Sequence, residues 1–316
     1  MRLVVLSSVL ALLSLGGCAS AVQAEGTAPS KAPPGFWDHW GDGKAELAGY
    51  RLKQPRYGEA RSGEAVMVTV TEDFTRAARV KSDGGHGDEY PIIKLNEVRD
   101  FQTGIYDYNV LTSSFLALDG SSPLGVPTKV SFSAQEWCGH SYEHFLMSGS
   151  GMRRTLHSYF DGEADKDDRH DVPEGAVFAD ALPLLVRGLS GELVGPGEER
   201  TVPFLPSSLD RRLKHEALAW TTAKLKRSSS SRTVSTPAGT WSTYAVTVTP
   251  DRGPETTYWV EDSSPHRLVK WARADGEEGL LTGVMRSPYW SQNREGGESL
   301  RAELGLGVPA FLPEKP

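Results

Sequence analysis

Cysteine is scarce in this sequence: Cys18 and Cys138 are the only two among 316 residues. They cannot supply a disulfide framework, so stability must come from a hydrophobic core, and the length is ample for one large domain or two small ones. Long apolar runs are scarce too, and Leu3–Leu15 is too short to span a bilayer as a permanent helix. Positive charge is in deficit, with 34 Lys and Arg against 41 Asp and Glu and no long basic run. The densest stretch, KLKRSSSSR at Lys224–Arg232, reads as a solvated turn. This argues against nucleic acid as a partner, because affinity for phosphate backbones needs clustered Lys and Arg. Gly-x-Ser-x-Gly, His-Glu-x-x-His, a P-loop and a strand-to-helix dinucleotide fingerprint are absent, which removes the common enzyme signatures.

What is present begins at the amino terminus. Arg2 precedes the apolar run, which ends in Leu15-Gly16-Gly17-Cys18. That junction resembles the lipobox of bacterial lipoproteins. The resemblance implies that residues 1–17 are a signal peptide and that Cys18 becomes the first mature residue, carrying diacylglycerol and palmitate as a membrane anchor. An ordinary secretory signal with an incidental cysteine is the alternative, and either takes the protein out of the cytoplasm. Residues 18–34 are small, polar and proline-containing, as in a flexible tether. Ala19, uncharged after the modified cysteine, favours the outer membrane facing the periplasm by analogy with enterobacterial sorting.

In residues 35–316 the dominant period is two. Val66, Val68 and Val70 alternate with Met67, Thr69 and Thr71, and Tyr244, Val246 and Val248 alternate with Thr243, Ala245 and Thr247. Similar runs occur near Lys44–Tyr57, Ile105–Leu118, Thr128–Leu146, Arg153–Phe160, Thr257–Val260, Arg267–Ala272 and Leu280–Tyr289, separated by turn signals such as Asp119-Gly120 and Asp275-Gly276. Short turns dictate antiparallel pairing. The expected fold is therefore a single β-rich domain, mainly β, a large antiparallel curved sheet, barrel-like or half-barrel, with one or two short helices. One helix is expected where Asp180 can cap and Leu182, Leu185, Val186 and Leu189 share a face, covering one end of the sheet; Ser208–Trp220 fits helix or strand.

Gly41–Leu52, Pro55–Phe74, Phe132–His140, Leu156–Glu163, Asp180–Leu189, Ser235–Val248 and Thr257–Asp262 together resemble a group of uncharacterised bacterial exported lipoproteins. The carboxy-terminal half, from about residue 150, resembles a DUF3108-like domain of exported proteins, with its Pro-x-Gly turn, aromatic strand and Tyr-Trp pair. The resemblance implies a barrel-like antiparallel sheet similar in outline to lipoprotein-localization proteins. It implies no catalytic residues.

The richest chemical stretch is AQEWCGHSYEHF, Ala134–Phe145. On one continuous strand Cys138, His140, Tyr142 and His144 share a face, opposite Trp137, Ser141, Glu143 and Phe145. Cys138 and His140 then stand about 6.6 Å apart and can share a zinc or copper ion, with His144, His157 or His170 as further ligands. The alternative is a packed cysteine, a core tryptophan and hydrogen-bonded sheet histidines; a Cys-His nucleophile lacks any oxyanion-hole signature. LMSGSGMRR, Leu146–Arg154, is similar to the opening motif of the Maf nucleotide pyrophosphatases, in which Ser148, Ser150, Arg153 and Arg154 would cradle phosphates. An extra residue before the arginines, the missing proline and the mid-chain position favour a β-turn. DGEADKDDRHD, Asp161–Asp171, fails the EF-hand pattern at Lys166 and Val172 and reads as a solvated loop. Three functions follow: a non-enzymatic module binding an apolar or envelope-derived ligand or partner protein at a mouth lined by Trp137, Tyr142, Trp241, Trp259 and Trp271; a metal-dependent envelope hydrolase using Cys138, His140 and His144; or a scaffold.

Overall fold

The computed structural model describes residues 28–163 and 165–307. The expected signal peptide, Cys18 and the expected tether up to residue 27 lie outside the described residues. From the amino end, β1 (Pro29–Lys31) and α1 (Phe36–Trp40) lead into β2 (Ala45–Arg56), β3 (Glu59–Thr75), β4 (Glu89–Thr103) and β5 (Tyr106–Ala117). A short β6 (Asp119–Pro123) pairs with β1, and β7 (Lys129–Glu136), β8 (Gly139–Ser148), β9 (Gly151–Ser158) and β10 (Lys166–Asp171) continue outwards. The chain then crosses the inner face through β11 (Val177–Phe178), a 3-10 turn at Ala179–Ala181 and α2 (Leu182–Leu185). The second half is β12 (Glu199–Leu205), α3 (Ser208–Lys214), β13 (Thr221–Arg227), β14 (Arg232–Thr236), β15 (Gly239–Pro250), β16 (Thr256–Glu261), β17 (Leu268–Arg273) and β18 (Glu278–Ser287).

Sixteen strands form one sheet, running from edge strand β10 through β9, β8, β7, β5, β4, β3, β2, β18, β17, β16, β15, β13 and β12 to edge strand β11, with β14 paired to β15. Every pairing is antiparallel except β11 with β12. The fold is mainly β with an unclosed, barrel-like sheet. Its curvature follows from the core. Tyr50, Leu95, Phe132, Val246, Leu268 and Leu281 belong to one buried cluster with Leu182, Leu184, Leu185 and Leu189, so strands from both halves wrap the same crossing segment. The expected helical segment is present, as a plug inside the sheet and not a cover over one end, and Asp180 caps nothing in its own helix. It accepts instead from the Ser208 backbone N–H at 3.0 Å and the Ser208 hydroxyl at 2.8 Å, tying the plug to the start of α3.

The two edges do not hydrogen-bond to each other, yet they are joined by the short segment 172–176 and closed by side chains. Val130, Phe145, Met147 and Met152 meet Phe178 and Leu205 in a separate buried cluster across this seam. Beside them Glu143 of β8 accepts from Arg154 of β9 at 2.7 Å and from Arg211 of α3 at 2.7 Å, with all three side chains under 10% exposed. Arg212 pairs with Glu136 at 2.6 Å. α3 is therefore bolted across the open seam.

Several expectations are corrected. Within residues 18–34, expected as a tether, Pro29–Lys31 forms β1. Thr128–Leu146 is a hairpin, with Trp137 and Cys138 as its two-residue turn. Asp161–Asp171 contains edge strand β10, whose alternating charges leave little for another strand to pair with. Ser208–Trp220 is helical only to Lys214, where His215 adopts a left-handed conformation, φ 56°. Val68 and Val70 face outwards, covered by Leu304 and Leu306 of the returning carboxy-terminal segment, while Met67 faces the core. That segment can approach because the paired Gly49 and Gly283 carry no side chains: a Cβ on Gly49 would lie 2.2 Å from the Leu304 carbonyl oxygen.

Replacing Glu143 by Gln leaves Arg154 and Arg211 buried against a neutral group. We expect Glu143→Gln to lower stability by about 3–5 kcal/mol in denaturant melts. Unchanged stability would show that the seam is held by its apolar contacts alone.

Candidate functional site

Antiparallel connectivity gives the sheet two distinct ends. The β2–β3, β4–β5, β7–β8, β15–β16 and β17–β18 turns lie at one end, together with α3; β1, α1 and the β16–β17 turn lie at the other. The plug separates two cavities accordingly. The one beneath α3 has a volume of about 420 Å³, and the one near α1 about 610 Å³. The first is the more enclosed, and both halves of the sheet line it.

Its apolar walls come from Met67, Leu182, Phe204, Leu209, Val248 and Trp271. Its polar wall is a chain of ion pairs. Arg99 of β4 donates to Glu97 at 2.8 Å and to Glu277 at 2.9 Å; Glu277 also accepts the Trp271 indole N–H at 2.9 Å. Arg273 stands 3.3 Å from Glu277 and donates to both Asp210 oxygens at 2.8 and 3.0 Å, linking the chain to α3. Burial alone would raise Glu277, but Arg99 and Arg273, with the Trp271 hydrogen bond, hold it below the ordinary value, so it stays ionised. Each of Glu97, Arg99, Glu277, Arg273 and Asp210 has an opposite charge beside it, and the unpaired charges of the lining, Lys214, Glu216 and Arg252, stand exposed at the mouth. The Tyr258 hydroxyl, raised by burial and by Glu277, lines the cavity without a hydrogen-bond partner among the described residues. The arrangement offers a largely apolar chamber with the free Tyr258 hydroxyl on its wall and one buried carboxyl, Asp180, pushed up by burial.

The second cavity is lined by Trp40, Arg187 and Tyr244 among others. Arg187 pairs with buried Glu46 at 2.8 Å, and Tyr244 donates to the Val186 carbonyl at 2.9 Å. His39 Nε2 and Glu46 Oε2, 3.9 Å apart, are both buried without a hydrogen-bond partner.

Of the five aromatics expected at a mouth, Trp271 alone lines the 420 Å³ cavity. Trp241 and Trp259 are half-buried against the sheet, Trp137 is 69% exposed in its turn, and Tyr142 lies on the outer face. Turn geometry explains the difference: a residue at a hairpin tip belongs to neither face. Cys138 is exposed in the same turn, and His140 and His144 lie outward on β8 beside His157, across from Tyr142. No group of three or more His, Cys, Asp or Glu able to hold an ion occurs among the described residues. Ser148 and Ser150 flank the β8–β9 turn, while Arg153 pairs with Asp167 and Arg154 with Glu143, so the Maf-like residues do not converge. The residues that do build the cavity wall left a trace: Leu95, Glu97, Arg99 and Phe101 share one parity on β4, a charged pair inside an apolar row.

No family model matches the chain, and no curated protein matches it in sequence. Among solved structures it is similar to a β-barrel-like protein of domain of unknown function DUF1849 from Brucella abortus, at 10% identity and TM-score 0.45, covering 78% of this chain and 99% of that one. It is also similar to a protein from Bacteroides fragilis described as exported, with a YmcC-like fold, at 12% identity and TM-score 0.20, covering 82% and 99%. Both likenesses are of outline. The strand pairings themselves define the fold. No helix among the described residues is long and apolar enough to cross a membrane.

Asp180, where plug, α3 and cavity meet, gives a pH test. Burial pushes it from the ordinary 3.8 to about 6 against the pull of Arg211 and Ser208. Between these values the native chain binds more protons than the unfolded one, so its contribution is fullest below pH 4 and is lost as pH rises through 6. Asp180→Asn should remove on the order of 3 kcal/mol of this slope, read as the difference between wild-type and variant stabilities at pH 4 and pH 7. Parallel curves would show that Asp180 titrates normally.

Proposed function

We propose that the protein is a non-enzymatic, lipid-anchored module of the bacterial envelope that binds an apolar, envelope-derived molecule in the cavity beneath α3. The observation that carries this reading is the pairing of cavity and charge. A chamber of about 420 Å³ lies in the range of small-ligand sites, and its buried ions are neutralised by one another. Away from the exposed mouth, where Lys214, Glu216 and Arg252 stand, such a lining gives a charged group no unpaired counter-ion, whereas an apolar body gains from every wall it covers. The free Tyr258 hydroxyl supplies one hydrogen bond to fix its orientation. Anchoring through Cys18, on the outer membrane facing the periplasm, is supported by the lipobox-like Leu15-Gly16-Gly17-Cys18.

Native mass spectrometry of protein purified from its own envelope, without chelator, tests the reading. We expect an added organic mass, absent in Ala219→Trp, because Ala219 is exposed at the mouth and a large ring there closes the cavity without touching the core. The melting temperature of that unliganded variant should match wild type stripped of ligand. A bare wild-type mass, or an adduct that persists in Ala219→Trp, overturns the assignment.

A further inference from the structure

Four hairpin tips stand in a row along the cavity end of the sheet. They close β2–β3, β4–β5, β7–β8 and β9–β10, which are eight neighbouring strands. Each tip carries one large apolar side chain: Tyr57, Ile105, Trp137 and Tyr159, exposed by 57%, 77%, 69% and 70%. These are the four most exposed large hydrophobic side chains among the described residues. With two strands between successive tips, the row advances about 10 Å per step and is roughly 30 Å long. Hairpin turns ordinarily carry Gly, Asn and Asp, so four bulky apolar tips in succession are not explained by turn chemistry.

The tips are held in place. The Tyr57 hydroxyl contacts Tyr108 at 3.0 Å and accepts from Tyr106 at 3.2 Å, the Trp137 indole donates to Asp107 at 3.0 Å, and the Tyr159 ring covers Gly139, where a Cβ would lie 2.5 Å away. The polar ends of Tyr57 and Trp137 are thus satisfied within the protein. The first described residue, Ala28, accepts from Leu124 at the opposite end. β3 alone has 17 residues, so the two ends lie about 55 Å apart.

We infer that this row is a docking surface for the interface of a lipid bilayer. Single rings and one aliphatic chain on separate, polar-flanked points cannot form the contiguous desolvated centre that a protein interface needs. They suit the headgroup region, where Trp and Tyr settle with a polar end satisfied. Charges of both signs neighbour the tips, Glu59, Asp107 and Asp161 against Arg56 stacked on Tyr57 and Arg61 paired with Glu59, so the surface has no net basic patch and fits a zwitterionic membrane. Docking there brings the mouth of the cavity, bordered by Arg252–Pro254 and Ala219 at the same end, toward a bilayer other than the one that would hold the Cys18 anchor, because the ten residues from Cys18 to Ala28 reach at most about 36 Å.

All described elements lie within residues 28–307, so the chain from Ala19 onward holds the fold without the lipid anchor, and Cys138 at the Trp137 tip is then its one thiol. A polarity-sensitive fluorophore on Cys138 should shift to the blue with phosphatidylcholine vesicles, and the protein should sediment with them. Trp137→Ser, Ile105→Ser and Tyr159→Ser should each reduce sedimentation about tenfold with unchanged melting temperature. Ala219→Trp should sediment like wild type, which separates this surface from the cavity. Absence of both shift and sedimentation overturns the inference, as does binding confined to anionic vesicles and abolished by salt. Tip-dependent self-association without vesicle binding assigns the row to a second copy, and vesicle binding gained only on removing residues 308–316 assigns it to the chain's own end; either also overturns it.

Discussion

The structure depends on one carboxylate. Glu143 receives Arg154 from its neighbouring strand and Arg211 from α3, and so joins the open margin of the first half of the sheet to a helix belonging to the second. A sheet that curls without closing leaves two edges, and main-chain hydrogen bonds cannot span the gap between β10 and β11. The apolar contacts around Phe145, Phe178 and Leu205 supply area; the ion pairs supply position, since buried charges tolerate few arrangements. With α3 held there, the space beneath it becomes a chamber.

That chamber inherits its character from the same device. Arg273 reaches Asp210 on α3, and Glu277 reaches Arg99 on β4, so a line of alternating charges runs from the helix to the far strands. Charges so placed neutralise one another over a few ångströms, and the remaining surface behaves as hydrocarbon.

The β architecture was legible wherever one parity of a strand was apolar, as at Tyr244, Val246 and Val248, all of which enter the core. Periodicity reports burial without saying what covers a face: Val68 and Val70 are buried by Leu304 and Leu306, partners more than 230 positions away. β4 escaped notice because Glu97 and Arg99 break its inner row, although the wall of the cavity is built from them. Trp137 and Cys138 were misplaced because an aromatic and a cysteine followed by Gly139 imitate a strand with a bend, and no turn residue marks the tip ahead of that glycine. The convergence of Arg99, Glu277, Arg273 and Asp210 could not be seen from spacing, since it is produced by curvature and by contacts up to 178 residues apart.

The middle of the sheet carries a kinetic consequence. Ala45 at the start of β2 pairs with Ser287 at the close of β18, so the first long strand of the chain and the last lie side by side at its centre. Each half can form its local hairpins early, but the two cannot be welded until the final strand is available, and the entropy of closing that loop opposes the step. Until then β2 presents an unpaired edge with Leu47 and Ala48 uncovered. The barrel-like body is thus assembled in one late event, and a chain truncated before residue 278 lacks the strand that joins its halves.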